Sequence, residues 1–294
     1  MSTKDFELTN GNKIPIKQFK FEDMCPNPSI VIIAKRGSGK TWLVRALLEF
    51  FKNIPVGVVI AETDRMNGFY KNFISDSYIH YEYKSKILEK LLIRQEKMIE
   101  LNIEKNKQGK YFDDRSFIVM DDCLGDKKTW CNDTLLRKLL YNGRHYHIMY
   151  ILTMQYSLGI QPELRSNFDY IFLLADDFGS NQKRLFDHYA GMFPSFDAFK
   201  QVFSTLTNDF SAMVINNKST KSISDKVYWY KAPDLTQLNS DIGCEQFKKF
   251  HKYNYNLNWK NNSKIDFKTY CLNKKKHNSI IEIKKEINND DDSD

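Results

Sequence analysis

The sequence predicts an α/β fold in three layers: a mainly parallel sheet with helices on both faces and an antiparallel hairpin at its C-terminal end. Three observations predict it. Five short runs of β-branched and aliphatic residues are continuous rather than alternating, the pattern of strands covered on both faces. Segments of helical period separate most of them, and strand–helix alternation closes into a parallel sheet. Two later runs are joined by a polar turn, which makes them an antiparallel pair.

Residues 1–28 are polar with scattered aromatics and end in Pro26-Asn27-Pro28, which stops any regular element, so they are expected to form an N-terminal extension. Ser29–Ala34 (SIVIIA) is the first buried strand, and Gly39–Lys52 follows with apolar residues at 42, 43, 46, 47 and 50, a helical spacing. Val56–Ala61 is the second strand. Lys84–Lys107 is a long charged helix with Ile87, Leu88, Leu91, Leu92, Met98 and Ile99 on one stripe. Ser116–Met120 is the third strand, with a helix near 132–144; His147–Thr153 and Tyr170–Ala175 are the fourth and fifth. Helices are expected over 180–190 and 195–206, then the pair Phe210–Asn216 and Lys226–Lys231 across the turn 217–225. The ordered domain is expected over 29–250. From about 251 the chain becomes rich in Asn and Lys and ends in Asp290-Asp291-Asp292-Ser293-Asp294, the composition of a disordered tail.

With 294 residues the chain suits one domain plus extensions. Lys and Arg exceed Asp and Glu by 44 to 37, a net charge of +7 that permits a nucleic-acid partner. The five cysteines, Cys25, Cys123, Cys131, Cys244 and Cys271, form no C-x-x-C pair and read as reduced thiols. No apolar run reaches the roughly 18–20 residues of a membrane span. The polar start carries no signal peptide, so the expected protein is intracellular.

The chemistry is concentrated in two motifs. Ala34-Lys35-Arg36-Gly37-Ser38-Gly39-Lys40-Thr41 follows a buried strand and opens a helix, the context of a Walker A phosphate loop, with Ala34 where the pattern has its first glycine. Gly37 and Gly39 let backbone N–H groups curl around an anion. The helix start that follows favours negative charge. Lys40 supplies a point charge for the β- and γ-phosphates, and the Thr41 hydroxyl is a ligand for Mg²⁺. Lys35, Arg36 and Ser38 complete the expected ATP-binding set. About 80 residues on, Phe117-Ile118-Val119-Met120-Asp121-Asp122 runs four apolar residues into two carboxylates, the Walker B arrangement. Asp121 is expected to serve the metal and Asp122 to orient the attacking water, with Glu62 at the end of the second strand as the reserve base. Cys123 beside them reads as a small buried residue.

The fourth strand ends in Thr153-Met154-Gln155, and the Gln155 amide is expected to sense the γ-phosphate or hold the water. A strand inserted between the two motif strands and tipped with a polar residue separates motor-type ATPases from nucleotide kinases and GTPases. Arg144 and Arg165 each precede a strand, and either is a candidate arginine finger acting on a neighbouring subunit. His145 and His147 share one strand face but are too few for a metal site.

The set AKRGSGKT, FIVMDDC, NGRHYHIMYILTMQY and PELRSNFDYIFLL, in this order and spacing, resembles the genome-packaging ATPases of nucleocytoplasmic large DNA viruses, the poxvirus-type branch of the FtsK–HerA superfamily of P-loop NTPases. The resemblance spans about residues 28–232. It implies a ring-forming homo-oligomer that hydrolyses ATP with Mg²⁺, is stimulated by double-stranded DNA, and pumps that DNA into a preformed capsid through capsid or portal-vertex partners. It implies a virus-encoded protein working in the host cytoplasm or viral factory, or carried with the virion. Other DNA translocases or helicases on this fold, and a slow ATP-dependent switch or scaffold, are the alternatives. Basic segments 35–36, 127–128 and 218–231 are the candidate DNA contacts, and Lys274–Lys276 in the tail is a further one.

Overall fold

The computed structural model describes residues 3–7, 13–123, 132–219, 222–236 and 241–256. The chain divides into two units, Met1–Tyr253 and Asn254–Asp294, and every described strand belongs to the first. Of the second, only residues 254–256 are described. Lys274–Lys276, segment 127–128, Cys131 and Cys271 lie outside the described residues.

Ten strands form one sheet: β1 (Thr3–Glu7), β2 (Lys13–Gln18), β3 (Ser29–Ile33), β4 (Val56–Ala61), β5 (Ile79–His80), β6 (Ser116–Asp121), β7 (Ile148–Met154), β8 (Tyr170–Leu173), β9 (Ser211–Asn216) and β10 (Val227–Lys231). Their order is β1-β2-β10-β9-β8-β3-β7-β6-β4-β5. The central block β8-β3-β7-β6-β4-β5 is parallel, and β9 pairs antiparallel with both β8 and β10. The longer helices are α1 (Lys40–Phe50), α3 (Ser85–Asn106), α4 (Thr134–Asn142), α6 (Gly179–Tyr189), α7 (Phe196–Leu206) and α9 (Glu245–Asn254). Single turns α2 (Asp64–Asn67), α5 (Pro162–Arg165) and α8 (Ile223–Lys226) intervene.

Alternation along the strands sorts the core into two sheets of packing. Ile30 and Ile32 of β3 join Val59, Val119 and Ile151 against Leu43, Val44 and Leu47 of α1. Val31 and Ile33 join Ile118, Met120 and Leu152 on the opposite face against Leu88 of α3, Leu139 of α4, Leu185 of α6 and Phe203 of α7. Strand side chains point alternately up and down, so continuous apolar runs fill both layers. The three-layer sandwich, mainly parallel sheet and terminal antiparallel pair are therefore as the sequence predicts.

Within the first 28 residues, the N-terminal extension of the sequence reading, two strands join the sheet. Strands β1 and β2 pair antiparallel, and β2 adds to β10 in parallel through Tyr228↔Lys17 and Trp229↔Gln18. The stretch Ile14-Pro15-Ile16 is an alternating strand whose two isoleucines are buried. Pro15 falls outside the short β10 pairing, so its missing N–H costs no bond on that side. At the other end, α9 continues the ordered chain to Asn254.

Candidate functional site

The phosphate loop begins where β3 leaves the sheet. Its strand is held between β8 and β7, and the exit is fixed by Ala34 N–H donating to the Met154 carbonyl (2.9 Å) and Leu174 N–H to the Ile33 carbonyl (3.0 Å). Gly37 (φ +82°) and Gly39 (φ +96°) take the left-handed conformation that side chains disfavour, and Gly39 caps α1. The buried Ser38 hydroxyl donates to the Lys35 carbonyl at 2.7 Å, closing the turn. Helix α1 then starts at Lys40, with Thr41 half-buried on its first turn. A helix start leaves backbone donors without internal partners, so the loop and helix together present N–H groups to an anion.

Strands β7 and β6 bring the second half. In register, Thr153 of β7 stands beside Asp121 of β6. The Lys40 ammonium lies 3.2 Å from Asp121 Oδ1 and 3.4 Å from Asp122 Oδ2. Asp121 also accepts from the Tyr70 hydroxyl at 2.8 Å and from the Thr153 hydroxyl. Tyr70 is itself held by Asp64, which accepts from the Tyr70 N–H at 2.8 Å. Burial, and next the Asp121 charge, raise the Tyr70 hydroxyl well above its ordinary pKa, so it remains a donor. Asp122 sits at φ +79°, rare for a residue with a side chain, and accepts from the Gln155 amide. A strained residue at the end of a strand is a common way to aim a reacting group.

Of the sequence-predicted residues, the structure brings Lys40, Asp121, Asp122 and Gln155 together and sets Gly37, Ser38, Gly39 and Thr41 in the same loop and helix start. Lys35 ion-pairs with Asp177, and Arg36 is exposed. Glu62 is exposed just past β4. Two residues are not in that group. Arg144 precedes β7 and pairs with Asp169, which precedes β8, so both lie at the N-terminal ends of strands whose C-terminal ends carry the loop. Arg165 donates to the Ile160 carbonyl at 3.1 Å and rests over the Tyr189 ring, 5.6 Å from its centroid. His147 pairs with Asp114 at 2.8 Å, and His145 is exposed. Cys25, Cys123 and Cys244 are free thiols; burial, then the Asp121 charge, push the Cys123 thiol up, so it stays protonated.

Tyr70 and Thr153 were not read as site residues from the sequence. Thr153 carries a signal: a hydroxyl at the end of an otherwise apolar strand, in register with the acidic one. Tyr70 carries none, because it reaches Asp121 from a single 3-10 turn, Tyr70–Asn72, 51 residues earlier.

A glycine loop between a buried strand and a helix, and a strand intervening before the acidic strand, give the chain the fold of a P-loop NTPase, with Lys40 shared by two carboxylates beside the loop. The chain belongs to the family described as Poxvirus A32 protein, whose profile matches residues 16–184. This is the branch of viral packaging ATPases that the motifs resemble. Protein L437 of Acanthamoeba polyphaga mimivirus is 48% identical over 248 residues, covering 84% of this chain and 86% of its own. Protein 075L of Invertebrate iridescent virus 6 is 33% identical over 237 residues, covering 79% and 88%. Among solved structures, EssC (ATPases 2 and 3) from Geobacillus thermodenitrificans shares the fold at a TM-score of 0.53 and 13% identity, over 83% of this chain and 47% of its own. Among the described residues no helix is long and apolar enough to cross a membrane.

Proposed function

We propose that this protein is an ATP-hydrolysing motor that translocates double-stranded viral DNA into a capsid. The observation that carries the reading is the convergence of Lys40, Asp121, Asp122 and Gln155 beside the glycine loop, in a chain of the poxvirus A32 family. Lys40 lies 3.2 Å from Asp121 and 3.4 Å from Asp122, at the mouth of the loop. There its charge serves the β- and γ-oxygens of a triphosphate held by the backbone donors, with the two aspartates beside them.

Asp121 and the Thr41 hydroxyl are hard oxygen donors that suit Mg²⁺, and they would hold it. Among the described residues no group of three His, Cys, Asp or Glu side chains is placed to hold a metal alone, as befits an ion that takes its other ligands from phosphate and water. Bound there, the ion would supply charge neutralisation at the phosphates. Tyr70 and Thr153 keep Asp121 oriented toward it. Asp122, turned by its positive φ, orients the water that attacks the γ-phosphorus, and ADP and phosphate are the products. The Gln155 amide, already on Asp122, couples that carboxylate to the γ-phosphate.

The ring is the second part of the proposal. A finger from a neighbouring subunit adds positive charge at the leaving phosphate. We assign it to Arg165 rather than Arg144, whose withdrawal would strip the counter-charge from the buried Asp169. Arg36, Lys218 and Lys226, from the basic segments 35–36 and 218–231, are candidates to follow a phosphate backbone without reading sequence. Residues 29–250 form the motor domain, and the N-terminal pair of strands extends its sheet.

The test is turnover with and without double-stranded DNA, together with particle mass in a non-hydrolysable ATP analogue. Stimulation by DNA and assembly into a ring are expected, with Lys40→Ala abolishing hydrolysis in both conditions. Near-normal turnover in Lys40→Ala removes the assignment. A monomer in every nucleotide state, with no stimulation, makes the protein a slow switch instead.

A further inference from the structure

We propose that Phe210 is the platform on which the purine base of the bound nucleotide stacks. The inference rests on the nucleotide-site reading above and adds the residue that holds the nucleoside. The two sides of the phosphate loop face different neighbours. Lys40 reaches toward β6, where Asp121 and Asp122 lie, with Gln155 of the β7 end beside them, and this fixes where the terminal phosphate goes. The other end of the triphosphate then leaves toward β8, on the far side of β3. Strand β9 runs antiparallel to β8 with Leu173↔Met213 in register, so the start of β9 stands level with the loop on that side. Phe210 is the residue immediately before β9.

The contact is close. A side-chain carbon at Gly39 would come within 3.4 Å of both Phe210 Cβ and its ring Cδ1. The ring therefore lies against the loop backbone, yet Phe210 is 66% exposed and belongs to neither buried cluster. An aromatic ring seated on a phosphate loop and open to solvent on its other side is a flat apolar surface at the point where a nucleoside emerges.

The backbone is committed to that placement. Asp209 and Phe210 both have φ of +58°, two consecutive left-handed residues with side chains, a conformation that persists only where its surroundings enforce it. Asp209 ion-pairs with Lys231 of the neighbouring β10, and Ser211 N–H donates to the Asn208 carbonyl at 3.2 Å. The turn is thus tied to the sheet while its ring faces the loop. Any base offers a π-face; a purine offers the larger one, so the platform favours ATP and GTP over pyrimidine nucleotides.

The experiment is equilibrium binding of ATP and of inorganic tripolyphosphate to the full chain and to Phe210→Ala, Phe210→Leu and Phe210→Trp. Leu keeps apolar bulk against Gly39 and removes the π-face. Both Phe210→Ala and Phe210→Leu are expected to weaken ATP about ten-fold and to leave tripolyphosphate binding within two-fold, on the scale of one base–aromatic stack. Phe210→Trp is expected to keep ATP affinity and to add a fluorescence component that ATP quenches and tripolyphosphate does not. Unchanged ATP affinity in Phe210→Ala overturns the platform, as does an equal loss for ATP and tripolyphosphate, or full retention of affinity in Phe210→Leu. Failure of the unmodified chain to bind either ligand is a separate result, and overturns the nucleotide site itself.

Discussion

Lys40 lies 3.2 Å from one carboxylate and 3.4 Å from the next, so their separate roles are decided by what else each aspartate touches. Asp121 is enclosed, with Tyr70 and Thr153 donating to it, and is suited to a fixed task at a metal. Asp122 is bent out of the strand line and meets a side-chain amide, which suits it to a water. Asp122→Asn keeps the shape and removes the charge. It is expected to retain ATP binding and to lower kcat about 100-fold, measured by single turnover beside equilibrium binding. An unchanged kcat moves the role to Glu62. Both aspartates were legible in the sequence, because four apolar residues running into an acidic pair place the pair at a strand end. Tyr70 was not: its contact with Asp121 depends on the path of the segment between β4 and β5, which no local pattern encodes.

At the scale of elements, the parallel strands are tied at the end remote from the loop by one buried carboxylate. Asp169 Oδ2 accepts from the Ser29 N–H at 2.9 Å, Asp169 N–H donates to the Ser29 carbonyl at 2.8 Å, and Arg144 pairs with Oδ1. This clamps β3 to β8, the two strands whose far ends hold the phosphate loop and Leu174. Arg144→Ala is expected to lower unfolding stability by about 1–2 kcal/mol: the buried Asp169 loses its counter-charge, but half-exposure of Arg144 lets water compensate in part. Denaturant midpoints measure this, and ATP affinity below the transition should be unchanged. A loss of DNA-stimulated turnover with no loss of stability would return Arg144 to the finger role and take it from Arg165. The sequence showed Arg144 and Arg165 as equal candidates, since both precede a strand. Only the folded chain places Arg144 against Asp169, at the strand ends remote from the loop.

Across the whole molecule, the strands of the central parallel block β3, β4, β6, β7 and β8 were legible because their runs are mostly apolar and mostly buried. Strands β1 and β2 were hidden because their alternation is short, interrupted by Pro15, and preceded only by polar residues. Yet they bury Phe6, Ile14 and Ile16 in the same cluster as α3 and α7, and Phe19, the residue after β2, joins the cluster that holds α1. Each fully buried side chain of this size is worth roughly 1.5–3 kcal/mol. Four of them rival the entire net stability of about 5–15 kcal/mol of a typical domain. Removal also uncovers the edge of β10, with Tyr228 and Trp229 paired to nothing along it, which invites pairing with another chain. A chain beginning at Lys20 is therefore expected to lose its cooperative denaturant transition or to elute as aggregates, even though the phosphate loop and both aspartates are intact. Size exclusion and urea unfolding against the full chain measure it. A soluble truncated chain that unfolds at the same midpoint would show that the first two strands decorate the sheet rather than complete its core.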